Sequence, residues 1–157
     1  VEVDLKNKPK DLLDANPYGK VPVLVEDGEP IYESNIINQY LEEKYPEVRL
    51  LPQDLKQRAR VRIWMDYCDT RLHAAASDVL HGPEPDKARE RLLKHLSVVE
   101  RALDGRRYLD GDYSLADVTL IPFCTRRERY KFDLEGMPNL RRWLDAMLSR
   151  PAVASTL

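Results

Sequence analysis

The 157-residue chain reads as a small α/β unit followed by an all-α unit. Two observations carry that reading. Strand and helix patterns alternate only before Pro46. After Pro52 apolar residues recur at helical spacing and no strand signal appears. The two prolines mark the division, so the expected organisation is a first domain over 1–46, a linker over 47–52 and a helical domain over 53–157.

The elements follow in order. Val1-Glu2-Val3-Asp4-Leu5 alternates like the end of a strand. Pro9 to Ala15 predicts a short helix with proline in its first turn. Asn16-Pro17-Tyr18-Gly19 is turn chemistry. Val21 to Glu26 predicts a strand, Asp27-Gly28 a hairpin turn, and Pro30-Ile31-Tyr32 the return strand. Ser34 opens a helix in which Ile36, Ile37, Tyr40 and Leu41 keep helical spacing, ending near Tyr45-Pro46. Asp54 to about Leu80 predicts a helix longer than globular helices usually run, so a bend is expected. His81-Gly82-Pro83 breaks it. Further helices are predicted over Asp86–Leu103, Ser114 to about Arg127 and Pro138–Ser149, with Pro151 beginning a short tail. Pro122 inside the third of these predicts a kink.

Composition narrows the function classes. At 43% hydrophobic, 33% charged and net charge −2, the chain has no global charge that favours nucleic acid or a membrane surface. No apolar run approaches the roughly 20 residues a bilayer span needs. Cys68 and Cys124 form neither a disulfide framework nor a metal spacing, and they read as small core hydrophobes in a reducing cytoplasm. No metal site is predicted.

Two motifs stand out. Gly19-Lys20-Val21-Pro22-Val23-Leu24 places a proline at the front of an apolar strand, where its missing N–H normally excludes it. A cis bond in a tight turn that exposes neighbouring backbone to a ligand tolerates such a proline. Tyr32-Glu33-Ser34 then sets a hydroxyl and free N–H groups at a helix start, which suits a carboxylate. The pair points to a site for a small peptide-like anion, with an edge strand and an ordinary N-cap as the alternative. Ser114-Leu115-Ala116-Asp117 has the form of a capping box with aspartate in place of the usual Glu or Gln, so Ser114 and Asp117 are read as fold-specifying.

The runs Leu5-Lys6-Asn7-Lys8-Pro9, Asn16 to Leu24, Ile31-Tyr32-Glu33-Ser34 and Tyr40 to Pro46 resemble the glutathione S-transferase superfamily. Residues 5–52 are most similar to its omega class and bacterial relatives, and the capping box resembles the one in the family's helical domain. The resemblance implies a thioredoxin-like N-terminal domain, an all-helical C-terminal domain, a homodimer and glutathione as co-substrate. It implies that Val21, before a cis Pro22, pairs its backbone with the cysteinyl part of glutathione. Glu33 and Ser34 would hold the γ-glutamyl end. Lys8 and Lys20 match positions that reach the glycyl carboxylate, and otherwise read as solvated surface lysines.

In the family, a β-strand and helix that carry the catalytic Cys, Ser or Tyr come before the position equivalent to Val1. The domain is therefore expected to be incomplete here, and no catalytic nucleophile is assigned. The implied activity is conjugation of glutathione to an electrophile, or thiol transfer by a mixed disulfide. Trp64, Tyr67, Cys68 and Arg71 are candidates to line the second substrate. Packing or dimer contact is the alternative for them. Asp66 lies near a position from which some relatives reach glutathione across the dimer. The alternative function is that of a non-catalytic relative such as stringent starvation protein A, which binds RNA polymerase. Arg126-Arg127-Glu128-Arg129 would then offer a contact surface, and otherwise reads as a solvated helix end.

Overall fold

Turn chemistry shapes the N-terminal unit of the computed structural model, which describes residues 2–156. Asp27 (φ 50°) and Gly28 (φ 85°) are both left-handed, as a two-residue hairpin turn of the primed type requires. They join β1 (Val23–Glu26) to β2 (Glu29–Tyr32) in antiparallel register, with Val23 opposite Tyr32 and Leu24 opposite Ile31. α1 (Lys10–Ala15) precedes the hairpin and buries Leu12. α2 (Ser34–Lys44) follows it and buries Ile37, while its neighbour Ile36 stays 53% exposed. Glu26, at the end of β1, accepts hydrogen bonds from the Tyr40 hydroxyl and the Lys44 ammonium of α2. Lys44 first, then Tyr40, hold the Glu26 carboxyl below its ordinary pKa.

Two strand expectations change. Val1 lies outside the described residues, and residues 2–5 join no ladder; among the described residues β1 and β2 pair only with each other. Alternation permits a strand, but a hydrogen-bonded neighbour makes one. β1 also begins at Val23 and not at Val21, because Pro22 has no N–H to give to a ladder.

The chain divides into compact units between Arg49 and Leu50. In the second unit Asp54 caps α3 (Leu55–Tyr67), its Oδ1 accepting the Gln57 N–H at 2.9 Å. The long helix predicted over Asp54–Leu80 is interrupted by a π-helical turn, Cys68–Leu72, before α4 (His73–His81). The wider turn re-phases the apolar stripe, so that Val61, Met65, Cys68, Leu72, Ala75 and Ala76 all stay buried. Gly82 ends α4 at a close approach: a Cβ there would lie 2.6 Å from the Asp78 carbonyl oxygen.

α5 (Pro85–Ala102) starts on a proline and buries Ala88, Leu92, Leu96 and Val99 along one face. α6 (Leu115–Thr125) is buried over most of its surface. Pro122 sits in its last turn, so the proline precedes the helix end instead of bending a long helix. α7 (Pro138–Leu148) contributes Leu140, Trp143, Leu144 and Met147 to the same core. The expected tail after Pro151 is a short helix, α8 (Pro151–Ala154), which buries Val153. Proline at the first helical position favours that turn.

Candidate functional site

The hairpin register brings the two N-terminal motifs together. Because Val23 faces Tyr32, Pro22 and Val21 continue past the open end of the hairpin on one side, and Glu33 and Ser34 continue on the other. The Val21–Pro22 peptide is cis. Val21 is 45% exposed, and its backbone has no hydrogen-bond partner among the described residues.

Across from it, Glu33 takes φ 70° and ψ 112°, a conformation that costs a non-glycine residue about 1–3 kcal/mol. Neither Glu33 nor Ser34 spends its side chain on capping α2. The Glu33 carbonyl accepts the N–H groups of Ile36 and Ile37, both at 2.9 Å. The exposed Ser34 hydroxyl and N–H are uncommitted among the described residues, at the positive end of an 11-residue helix. The alternative of an ordinary side-chain N-cap therefore does not describe this end of α2.

The segment before α1 and the loop between α1 and β1 each supply a cation. Lys8 and Lys20 are exposed and make no ion pair among the described residues. Gly19 (φ 58°) sits against Lys8: a Cβ on it would lie 3.2 Å from the Lys8 Nζ and 3.0 Å from Leu13 Cδ2. Between α1, Val3 and the Val21–Val25 segment lies an open, mainly apolar cleft of about 880 Å³, with Val21 and Pro22 on its wall. Taken together, the N-terminal unit presents a carboxylate-accepting helix start, a carboxylate, an unpaired backbone segment and two ammonium groups. A short peptide with an amino group and carboxylates at both ends matches that set.

Sequence reasoning passed over Asn16 as turn chemistry. It is 1% exposed; its Nδ2 donates to the Lys20 carbonyl at 2.9 Å and its Oδ1 accepts the Tyr18 N–H at 3.0 Å. The signal that could have found it is the Asn-Pro pair, in which the asparagine side chain can bond its own backbone two residues on.

In the helical unit the candidates separate. Trp64 packs against the core and meets the Tyr67 ring edge-on at 5.6 Å between centroids. The Tyr67 hydroxyl lies 3.1 Å from His95 Nδ1 and donates to the His95 carbonyl at 3.2 Å. Burial raises the Tyr67 pKa and lowers that of His95. Asp66 and Arg71 are exposed, and their side chains have no hydrogen-bond or ion-pair partner among the described residues. Cys68 and Cys124 are buried; burial pushes the Cys68 thiol far up and the Cys124 thiol up to about 12. Neither provides a thiolate near neutral pH.

Ser114 and Asp117 build a buried cap. Asp117 Oδ2 accepts the Ser114 N–H at 3.0 Å and its hydroxyl at 3.2 Å. Its Oδ1 accepts the Leu109 N–H at 3.1 Å and Trp143 Nε1–H at 2.8 Å.

Residues 1–49 match the glutathione S-transferase N-terminal domain and residues 67–151 the C-terminal domain. Glutathione S-transferase U19 of Arabidopsis thaliana is 34% identical over 166 residues, covering 99% of this chain and 76% of that protein. Among solved structures, a ternary complex of BphK, a bacterial GST, superimposes with a TM-score of 0.90 at 30% identity, covering 99% of this chain and 83% of that one. Rice GST1 in complex with glutathione gives a TM-score of 0.89 at 31% identity, covering 100% of this chain and 77% of that one. The fold is thus a thioredoxin-like unit with a small sheet followed by an all-helical unit. These relatives correct the omega-class expectation, since similar curated sequences include plant transferases of a U series. With both domains matched in order and relatives above 30% identity along almost its whole length, the chain belongs to the glutathione S-transferase family.

Proposed function

We propose that this chain is a glutathione transferase that holds its co-substrate in the N-terminal unit. The observation that carries the reading is the strained Glu33 beside the uncommitted Ser34, facing the unpaired backbone of Val21 across the hairpin end. The Ser34 hydroxyl and N–H take the γ-glutamyl carboxylate, and Glu33 takes the adjacent amino group. Val21 pairs with the cysteinyl backbone beside Pro22. Lys8 and Lys20 face the glycyl carboxylate. Strain persists where the surrounding structure over-determines it, and a fixed ligand-facing carboxylate is a reason for it here.

The reaction class is attack of the glutathione sulfur on an electrophilic carbon, with an S–C bond formed and a leaving group displaced. Thiol transfer through a mixed disulfide would use the same glutathione site; Cys68 and Cys124 supply no thiolate for it, since their buried thiols stay protonated. Arg71, exposed in the π turn, is our candidate for contact with the second substrate. Trp64 and Tyr67 are read as packing within the helical unit. We place the protein in a reducing, cytoplasmic setting, consistent with two free buried thiols. Among the described residues no helix is long and apolar enough to cross a membrane.

We also read the protein as a homodimer, using a stripe of α3 on which Leu55 is 75% and Ile63 65% exposed. Arg58, Arg62 and Asp66 flank that stripe and bring both signs of charge to one face, which suits a second copy in antiparallel contact. Asp66 belongs to this face.

Titration calorimetry with glutathione tests the site. The chain is expected to bind, and the double change of Glu33 and Ser34 to alanine is expected to abolish measurable heat. A folded parent that shows no glutathione binding overturns the reading.

A further inference from the structure

We infer that Asn16 is a positioning residue that gives the glutathione site its preference for a ligand carrying the glycyl end. The inference rests on the reading of the N-terminal unit as the glutathione site. Among the described residues of that unit, Asn16 is the one buried polar residue. A buried amide costs about 1–3 kcal/mol when it lacks partners, so its bonds define a required geometry.

Both ends of that amide are used inside one short loop. Its Oδ1 accepts the Tyr18 N–H at 3.0 Å, its Nδ2 donates to the Lys20 carbonyl at 2.9 Å, and its own carbonyl accepts the Gly19 N–H at 2.8 Å. The side chain is therefore a brace across residues 16–20. Three consequences follow at the site.

First, the Lys20 carbonyl belongs to the same planar peptide as the Val21 N–H, and in a trans peptide the two point in opposite directions. Holding the carbonyl inward on Asn16 aims the Val21 N–H outward, where the cysteinyl backbone would lie. Second, the brace sets the place from which the Lys20 side chain leaves the loop. Third, the bonds to Tyr18 and Lys20 fix the backbone on both sides of Gly19, whose own N–H goes to the Asn16 backbone carbonyl and whose Cβ position would lie 3.2 Å from Lys8 Nζ. Glu33 and Ser34 stand on the other side of the hairpin end and hang from β2 and α2, not from this loop. Asn16 thus governs the half of the site that faces the cysteinyl and glycyl residues, and leaves the γ-glutamyl half alone.

The test compares glutathione with γ-glutamylcysteine, which lacks the glycyl carboxylate, by titration calorimetry. The proteins are the parent, Asn16→Ala, Asn16→Asp and Ser34→Ala. Asn16→Asp is nearly isosteric and keeps the acceptor for the Tyr18 N–H, but it loses the donor to the Lys20 carbonyl. It therefore remains informative if the alanine variant does not fold. The parent is expected to prefer glutathione by about tenfold or more, as loss of one charge-assisted contact implies. In folded Asn16 variants that preference is expected to fall to about twofold. Ser34→Ala is expected to weaken both ligands alike and keep the preference, and a general loosening of the fold would do the same. If the parent binds glutathione and the preference survives in Asn16→Asp, the positioning role fails and the site reading stands. If the parent shows no preference for glutathione over γ-glutamylcysteine, the positioning role fails as well. If the parent binds neither ligand, the site reading fails and takes this inference with it.

Discussion

Asp117 draws three parts of the helical unit onto one carboxylate: the loop at Leu109, the start of α6 at Ser114 and the α7 residue Trp143. The capping box is legible in Ser114-Leu115-Ala116-Asp117, because it is a local pattern. The bonds to Leu109 and Trp143 are not, because nothing in the spacing of 26 residues to Trp143 announces contact. Burial raises the Asp117 pKa above the ordinary 3.8, against the lowering effect of its donors. A raised folded-state value means that the protonated carboxyl favours the fold. That contribution is complete below the unfolded value and is lost as pH rises through the folded one. Asp117→Asn cannot ionise and turns an amide donor toward existing donors, at a cost of about 1–3 kcal/mol. In urea unfolding its deficit against the parent is expected to be largest at acid pH and to narrow as pH rises. A deficit that does not vary with pH contradicts the raised value. Glu33 belongs to this scale too: its residue type and place before a helix were visible, but its left-handed backbone was not, since nothing local to Glu-Ser requires it.

At the scale of elements, sequence periodicity located the helices well because their apolar faces repeat where the core is. It did so less well where one element depends on another. The long-helix expectation foresaw an irregularity on length alone. Packing placed it at Cys68–Leu72, where a π turn keeps both end residues buried. α7 shows the same dependence. Its own N-cap, Met137, offers no side-chain acceptor. Glu100 of α5 supplies one, its two carboxylate oxygens accepting the N–H groups of Asn139 at 3.1 Å and Leu140 at 2.7 Å. A negative charge at a helix start also meets the favourable end of the helix dipole. Glu100→Ala is expected to lower the free energy of urea unfolding by about 0.5–2 kcal/mol, with Glu100→Gln recovering part of it. An alanine variant as stable as the parent would falsify the cross-helix cap.

For the whole molecule, the prediction concerns assembly. In the proposed dimer a second copy would cover the stripe of α3 on which Leu55 and Ile63 are exposed. Sedimentation at micromolar concentration is expected to give a dimer for the parent and a monomer for Ile63→Glu. A monomeric parent would sink that reading, and a dimeric variant would move the interface elsewhere.

The sequence by itself determined the two-part architecture, the hairpin, the buried cap and the candidate residues proposed to face the ligand, because each rests on local chemistry or on a periodic face. The Asp27-Gly28 turn even sets which residues meet at the hairpin end, since the register follows from the turn. Tertiary structure alone decided which of those residues are braced and which are spent. Asn16 became a buried brace, Tyr67 gave its hydroxyl to His95, and both thiols disappeared into the core. The Asn16 bonds are local, reaching two and four residues along the chain, and only their burial came from the fold; the other outcomes depend on contacts between residues distant in the chain and on exclusion of water from them. Neither leaves a signature in the spacing of residues along one strand or helix.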